Sequence, residues 1–378
     1  MVKEIVSVYQ KREVVAAGMS GGVDSSMAAL LLKESGYAVI GITMKIWQGP
    51  PTTSLPLKSG CYGPGEVHDI EDARKACEYL EIPHYTIDLS KEFSDTILSS
   101  YTSQLLAGNT PNPCIWCNQT LKFGLLLDKA KSSGIQFDRF ATGHYSRITY
   151  DDTRQRYLLQ KAADRLKDQS YFLYRLSQEQ LILSLFPLGG FLKSEIKQKA
   201  RAAGLADFAA KPESQDFFDA GMKVSFLSSL ENQPGNIVDL SGRVLGTHDG
   251  LHHFTIGQRK RLHIGGVPNP LYVISKDLQT NSVVVGEKEA LIIECLTATD
   301  INWIAFDKLE HSISARARLR SQQVEVPCQT FPAGENAVEV RFDEPQISVS
   351  PGQSIVFYEQ DTVLGGGIIQ STRAIKQL

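Results

Sequence analysis

The sequence predicts an α/β domain with a parallel sheet, followed by two small, mostly β domains. Three observations carry this. Strand-like apolar runs alternate with helical patterns through the first half, which implies parallel pairing and helices layered on a sheet. After about Asp219 the pattern changes to short β-branched runs punctuated by Pro-Gly, Ser-Gly, Asp-Gly and Gly-Gly, as in small antiparallel barrels. The chain has 378 residues, too many for one domain of roughly 100–200 residues. The expected domains are 1–218, 219–286 and 287–378.

In order along the chain, Glu13–Ala17 is a short strand and runs into GMSGGVDSS. The apolar MAALLLKESG is a helix ending at Gly36. Ala38–Met44 is the second strand. Gln48–Val67, rich in Pro, Gly and Ser, is a loop long enough to act as a lid. Val67–Leu80 is a helix and His84–Leu89 a strand. Leu121–Ser132 is a helix and Phe137–Gly143 a strand, and short helices occupy Ser177–Gly204. The later strands are seen in GNIVDL, GRVLG, LYVISKD, SVVVGE, VEVPCQT, AVEVRF, SIVFYE and TVLGGGII.

Composition excludes several classes. Charged residues are 21% and hydrophobic residues 42%, a balance that buries a core and argues against disorder. The net charge of −3 excludes a uniformly basic protein but permits a local basic patch. No apolar run approaches the roughly 20 residues of a spanning helix. The N-terminus lacks a secretory apolar region. Six cysteines are too sparse for a disulfide scaffold. The expected compartment is the reducing cytoplasm, with no membrane partner.

Gly18-Met19-Ser20-Gly21-Gly22-Val23-Asp24-Ser25-Ser26 lies between a strand and a helix. Its glycines let backbone N–H groups turn inward, its serines add hydroxyl donors, and the helix presents its positive end. Such a loop binds a phosphate. It is neither a Walker A loop nor GxGxxG. The bland alternative is a glycine-rich turn with Asp24 or Ser25 as a helix cap.

Thr110-Pro111-Asn112-Pro113-Cys114-Ile115-Trp116-Cys117-Asn118 leads into a helix. Cys114 and Cys117 are three apart and share a face on a helical turn. A helix N-terminus would lower a thiol's pKa. The pair could be a nucleophile, a redox couple, part of a metal or cluster site, or two packed cysteines.

SGGVDSS resembles the pyrophosphate loop of the ATP-pyrophosphatases, the adenine-nucleotide α-hydrolase fold, which split ATP between its α and β phosphates. Together with PNPCxxCN it resembles the tRNA-uridine 2-sulfurtransferases, or tRNA-specific 2-thiouridylases, and the likeness covers nearly the whole chain. Ala141–Tyr145 (ATGHY), Lys167–Leu173 (KDQSYFL), Gly250–Gly266, Phe342–Gln346, Pro351–Gln353 and Val363–Ile369 fall in the family's order. The resemblance implies that Gly18, Met19, Ser20, Gly21, Gly22, Val23, Asp24, Ser25, Met44 and Gly143 bind ATP. It implies that Asn112, Pro113 and Cys114 lie beside the target base. Lys167, Asp168, Gln169, Arg318 and Leu319 would touch tRNA. Cys117 would be the attacking or sulfur-handling cysteine, with Cys114 and Asp24 as further catalytic residues, Asp24 through Mg²⁺ and the phosphates.

The chain departs from the family at two positions. Cys114 stands where many members carry an aspartate proposed as a general base, a role that a thiolate would take over here or that lies elsewhere. The second departure removes a thiol. The family's second catalytic cysteine aligns with Phe218, in Ser214-Gln215-Asp216-Phe217-Phe218-Asp219, and a phenyl ring carries no sulfane sulfur. Three routes stay open. Cys61, Cys114 and Cys117 could hold a [4Fe–4S] cluster that binds hydrosulfide. They could hold zinc with His68 or water. Or Cys114 or Cys61 could replace the missing thiol. Cys77, in a helical pattern, reads as packing.

Two stretches suggest an RNA surface. Gly257–His263 (GQRKRLH) groups three adjacent cations, and Arg316, Arg318 and Arg320 alternate, so they share a strand face. Trp116 could stack on an extruded base or fill core space. The expected function is ATP-dependent 2-thiolation of the wobble uridine of tRNA through an adenylated uridine. The expected partners are tRNA, not DNA, and a sulfur donor protein or sulfide. The alternatives are an ATP-pyrophosphatase ligase that transfers nitrogen and a tRNA-binding paralogue without sulfur transfer.

Overall fold

The structure, a computed structural model, describes residues 12–49, 60–205, 217–218, 222–266 and 268–374. The apolar runs of the first half become β1 (Val14–Gly18), β2 (Ala38–Lys45), β3 (His84–Asp88) and β4 (Arg139–Ala141). A hairpin follows, β5 (Ser146–Asp151) and β6 (Arg156–Lys161), and then the two-residue β7 (Ser184–Leu185). β1–β4 and β7 form one sheet in the order β3-β2-β1-β4-β7, with every pairing parallel. β1 is buried through its middle three residues, as expected of a parallel strand covered on both faces. The chain steps from β1 outward to β2 and β3, then returns to β4 on the other side. The sheet's switch point therefore lies between β1 and β4, where the loops after both strands open a crevice.

Helices Val23–Glu34 and Glu66–Tyr79 bury Ala29, Leu32, Ala73, Ala76 and Cys77 with the sheet residues Val15, Ala17 and Val39. Cys77 is packing: a Cβ on Gly41 would stand 2.4 Å from its sulfur. A helical stretch that the sequence reading did not mark spans Ser90–Phe93, Ser94–Leu98 and Ser99–Leu106, the middle part in π geometry. Its serines and threonines hide three inward anchors, Phe93, Ile97 and Leu105. The helix expected at Leu121 starts earlier. Pro113 opens it, Asn112 Oδ1 accepts from Cys114 N at 3.2 Å, and a π segment Cys117–Leu125 continues into Leu126–Ser132. Proline preset at the first helical position and an Asn cap explain the earlier start.

The second region carries β8 (Gly235–Asp239), β9 (Val244–His248), β10 (Tyr272–Asp277) and β11 (Ser282–Gly286) in the order β10-β11-β8-β9. It is not purely antiparallel as expected, because β8 and β11 pair in parallel. The long β9–β10 connection, with its short helical turn Leu251–His253, gives the chain room to return.

The third region is β12 (Ile292–Trp303), β13 (Ile313–Arg318), β14 (Val326–Pro332), β15 (Ala337–Ile347), β16 (Ser354–Glu359) and β17 (Thr362–Ala374). The order β12-β15-β14-β13-β16-β17 closes through antiparallel pairing of β12 with β17, which removes exposed edges. The hairpin β5–β6 joins this sheet through Thr362 opposite Gln160. Two strands of the first half thus extend the sheet of the last third. Among the described residues no helix is long and apolar enough to cross a membrane.

Candidate active site

The phosphate loop turns out of β1 at the switch point. Met19 N donates to Ile42 O at 2.8 Å and Thr43 Oγ1 donates to Met19 O at 2.9 Å, so β2 holds the loop's base. Gly21 has φ +73°, and a Cβ there would lie 2.5 Å from Asp69 O; glycine alone fits. Ser25 Oγ accepts from Ser20 N at 3.2 Å and donates to Gly22 O at 3.0 Å, and Ser26 Oγ also donates to Gly22 O. Gly22 is the helix cap and supplies no side-chain cap, so the helix end keeps its N–H groups for an anion. Gly143, after β4, presses on this turn: a Cβ would stand 2.8 Å from the Asp24 carbonyl carbon and 2.9 Å from Ser25 N. Met44 is half-buried at the end of β2. Of the residues expected at ATP, Gly143 therefore lies in contact with the Gly18–Ser25 loop.

Asp24 has two partners the sequence reading missed. Lys193 Nζ donates to both carboxylate oxygens, at 2.8 and 2.7 Å, and Tyr145 OH donates to Oδ1 at 2.9 Å. Lys193 is 169 positions away along the chain, on the first turn of helix Lys193–Ala202, and its side chain is 8% exposed. Its only sequence signal is a lysine at a helix start, where the macrodipole disfavours a cation.

The cysteine end is walled by rings. Half-buried Cys117 packs with Ile46, Phe93, Ile97 and Leu121, beside Tyr62, Trp116 and Phe217. Burial pushes its thiol up to about 11; Lys122 pulls the other way and Cys61 adds to the rise. The expected lowering at a helix end does not occur. The helix begins at Pro113, so Cys117 lies beyond the first turn, where the helix-end charge fades, and desolvation wins. Cys61 is exposed and Cys114 half-buried. Phe218 is buried. It bridges in parallel to Tyr62, whose N donates to Phe217 O at 3.0 Å, and its ring packs on Phe217, Tyr101 and Phe226. Ser214–Asp216 and Asp219 lie outside the described residues. So does part of the lid expected at Gln48–Val67. On its two flanks, Glu66 accepts from Ile46 N and Trp47 N at 2.7 and 2.9 Å.

The barrel holds the cysteine segment from outside. Thr110 N donates to Pro351 O at 2.9 Å and Gln353 Nε2 donates to Thr110 O at 2.7 Å. Trp116 lies under the Arg175 guanidinium, 4.1 Å from its ring centre. Arg175 in turn bonds Gln119 Oε1 at 2.8 Å and pairs with Asp300 at 3.1 Å. That face of Trp116 is therefore taken, and no base can stack on it.

Four of the five side chains expected at tRNA are turned inward. The Asp168 carboxylate is fully buried; it accepts from Ala162 N, Ser170 and, at 2.7 Å, Arg318. Arg318 also bonds Glu325 at 2.9 Å, and Glu325 pairs with Lys161 at 2.5 Å. Gln169 Oε1 accepts from Tyr145 N at 2.9 Å, and Leu319 is buried. Lys167 is half-buried. Arg316 and Arg318 do share a strand face, but it is turned to Glu325: Arg316 donates to the Glu325 carbonyl at 2.7 Å. Exposed Arg320 donates to Ser348 O. In the second region Arg259, Lys260 and Arg261 are exposed, as a basic surface requires. Arg261 and His263 have φ of 65° and 52°.

The cluster expected from Cys61, Cys114 and Cys117 is not assembled. Among the described residues no group of three His, Cys, Asp or Glu side chains is placed to hold a metal ion, neither with iron nor with zinc. The phosphate end differs. Mg²⁺ needs few protein ligands when phosphates complete its shell, so Asp24 fits a metal that arrives with a nucleotide.

A parallel sheet with a Gly-Ser loop at its switch point, followed by two β modules, defines an α/β protein of the HUP class. Residues 13–218 match the family described as "tRNA methyl transferase HUP domain", 225–287 its PRC-barrel domain and 293–369 the "Aminomethyltransferase beta-barrel domain". The chain is 45% identical to the tRNA-specific 2-thiouridylase MnmA of Endomicrobium trichonymphae over 94% of its own length and 98% of that protein's. It is 46% identical to the protein of the same name from Geotalea uraniireducens, over 95% and 96%. A solved 4-thiouridine synthetase–RNA complex with bound ATP aligns at 15% identity and TM-score 0.30, over 57% of this chain and 50% of that one, too distant to carry an argument. The chain belongs to the tRNA-specific 2-thiouridylase family.

Proposed function

We propose that the protein is an ATP-dependent tRNA-uridine 2-sulfurtransferase acting on the wobble uridine. The observation that carries this is that the end of β2 serves both motifs, Ile42 and Thr43 holding the Gly18–Ser25 loop and Ile46 packing with Cys117, in a chain so similar to relatives with that name. ATP sits on the loop, and Mg²⁺, held by Asp24 and the phosphates, would offset charge there. The uridine O2 attacks the α-phosphorus, the bond to the β-phosphate oxygen breaks, and pyrophosphate leaves. The oxygen becomes part of AMP, a good leaving group.

Sulfur handling belongs to Cys117 and a partner thiol. A persulfide sulfur, loaded by a donor, attacks C2 and expels AMP. The second thiolate attacks the inner sulfur, so 2-thiouridine leaves and the two cysteines close as a disulfide. An external dithiol then reduces it. Phe218 rules itself out as the partner. The exposure of Cys61, and its electrostatic reach to Cys117, support Cys61 ahead of Cys114. The route uses no cluster, because the three thiols form no metal-binding set.

Thiouridine analysis of tRNA incubated with ATP and a persulfide donor tests both halves. Cys117→Ser should abolish the product, and Cys61→Ser should lower it more than Cys114→Ser. Near four irons with acid-labile sulfide in anaerobically purified protein would overturn the thiol-only route. A wild type that binds tRNA and ATP yet makes no thiouridine would favour the inactive paralogue.

A further inference from the structure

The helix that carries Cys117 is wound in an uncommon register. From Cys117 to Leu125 it has π geometry, and at its end the N–H of Leu126 reaches back to Leu121 O. Hydrogen bonds in a π turn reach one residue further than in an α turn, and such turns occur mostly as short bulges at functional sites. A π stretch of nine residues needs support from outside, and one side chain of another helix supplies much of it. Gln180 Nε2 donates to Gln119 O at 2.8 Å and to Phe123 O at 3.1 Å, two carbonyls about one turn apart. Each carbonyl has two lone pairs, so it can accept this bond beside a helical one. Gly124 leaves the room: a Cβ there would stand 3.3 Å from Gln119 O and 3.9 Å from Gln180 Nε2. Gln180 is itself fixed at the start of helix Gln178–Leu183. Its Oε1 accepts from Ser177 N at 3.1 Å, and its N donates to Ser177 Oγ at 3.2 Å. Two further ties come from the same stretch of chain. Buried Asn118 donates through Nδ2 to Phe172 O at 3.1 Å, and Arg175 Nε donates to Gln119 Oε1 at 2.8 Å.

We propose that Gln180 is a positioning residue of the sulfur site: its amide bridges Gln119 O and Phe123 O, holds the π register of Cys117–Leu125 and so sets the direction of the Cys117 thiol. Successive residues of an α-helix are turned by about 100°. If the segment closed to α geometry by taking up one residue, everything before the slip would turn by about that angle against helix Leu126–Ser132. Cys117 would then leave the wall it shares with Ile46, Phe93 and Leu121, and Cys114 would turn with it. One amide with two donors gauges the register, because both bonds form only at one spacing of the two carbonyls. This inference rests on the reading that Cys117 handles the sulfur.

The test separates this clamp from the helix cap that the same side chain makes. Gln180→Glu keeps the acceptor that Ser177 N needs and loses both donors. Thiouridine formation and amide hydrogen exchange are followed on the full chain. In Gln180→Glu, kcat should fall by about 10- to 100-fold, as a misplacement of about an ångström can cost, with KM for ATP and for tRNA unchanged. Exchange across Cys117–Leu125 should quicken by about tenfold or more, the worth of two lost hydrogen bonds, while helix Gln178–Leu183 exchanges as in wild type. Wild-type turnover in Gln180→Glu would overturn the proposal, whatever the exchange shows. So would a KM for ATP that rises with the loss, since that marks a general loosening. Gln180→Met carries no charge and keeps the test available if Gln180→Glu does not fold. It is compared with Ser177→Ala, which removes the other half of the cap. Gln180→Met should lose turnover and Ser177→Ala should keep it; equal losses would mean a cap alone and overturn the proposal. A wild type that makes no thiouridine would instead overturn the reading of Cys117, and the exchange rates would then decide on the clamp by themselves.

Discussion

The phosphate loop and the cysteine segment are held in different ways. The Gly18–Ser25 loop is fixed by β2, Gly143, Tyr145 and Lys193, all within the α/β half. The Cys114–Cys117 segment is fixed largely by the barrel: Pro351 and Gln353 on Thr110, and Asp300 through Arg175 on Trp116. The phosphate loop thus takes its supports from the α/β half alone, whereas the cysteine segment, though walled by rings of that half, takes further supports from the last third of the chain. That arrangement ties the cysteine segment to the barrel of the last third, while Arg259, Lys260 and Arg261 of the middle β region are exposed.

The strongest way to break this contrast is Arg318→Ala. It leaves Asp168, fully buried, without its cation, and losing one partner of a buried pair is worth about 3–5 kcal/mol. Denaturation should show that loss, and thiolation should fall while the ATP affinity of the folded protein holds. Gly143→Ala should do the reverse. Its Cβ meets backbone of Asp24 and Ser25, so the loop must shift. Overpacking of about 1–3 kcal/mol predicts an ATP affinity roughly tenfold lower in a binding titration, with alkylation of Cys117 unchanged. Arg175→Ala removes the cation over Trp116 and one tie to Asp300. A loss of about 1–2 kcal/mol and faster alkylation of Cys117 are expected, with ATP binding untouched.

The smallest effect is one of pH. Burial holds the His144 imidazole well below its usual 6.5, where its Nδ1 meets Thr142 Oγ1 at 2.8 Å. The unfolded chain then binds the extra proton first. Stability is therefore fully present above about pH 6.5 and falls as the pH drops through it, by up to about 1.4 kcal/mol per pH unit for one such group. His144→Asn should flatten that part of the acid limb in urea titrations between pH 7 and pH 5.

Much of the site was legible because its chemistry is local. SGGVDSS needs only a strand before it and a helix after it, and both are visible as apolar runs. PNPC announces its own cap and proline start. The helical stretch Ser90–Leu106 was hidden because three buried side chains among many polar ones make a weak pattern. The thiol of Cys117 was misjudged because a helix end was visible in sequence and a wall of distant rings was not. Asp168, Arg318 and Leu319 stood out as motif residues, yet their side chains face one another across the α/β–barrel junction.

The sequence by itself determined the α/β half, the phosphate loop, the cysteine segment and the β character of the rest. These follow from period, capping and glycine conformation, which act over a few neighbours. Only the tertiary structure decided that the hairpin β5–β6 joins the barrel sheet, that Lys193 reaches Asp24, and that Arg175 and Gln353 hold the cysteine segment. Those contacts span from 56 to more than 240 positions. They are chosen by which buried charges and faces find partners once the domains dock, and no local pattern in the chain records that choice.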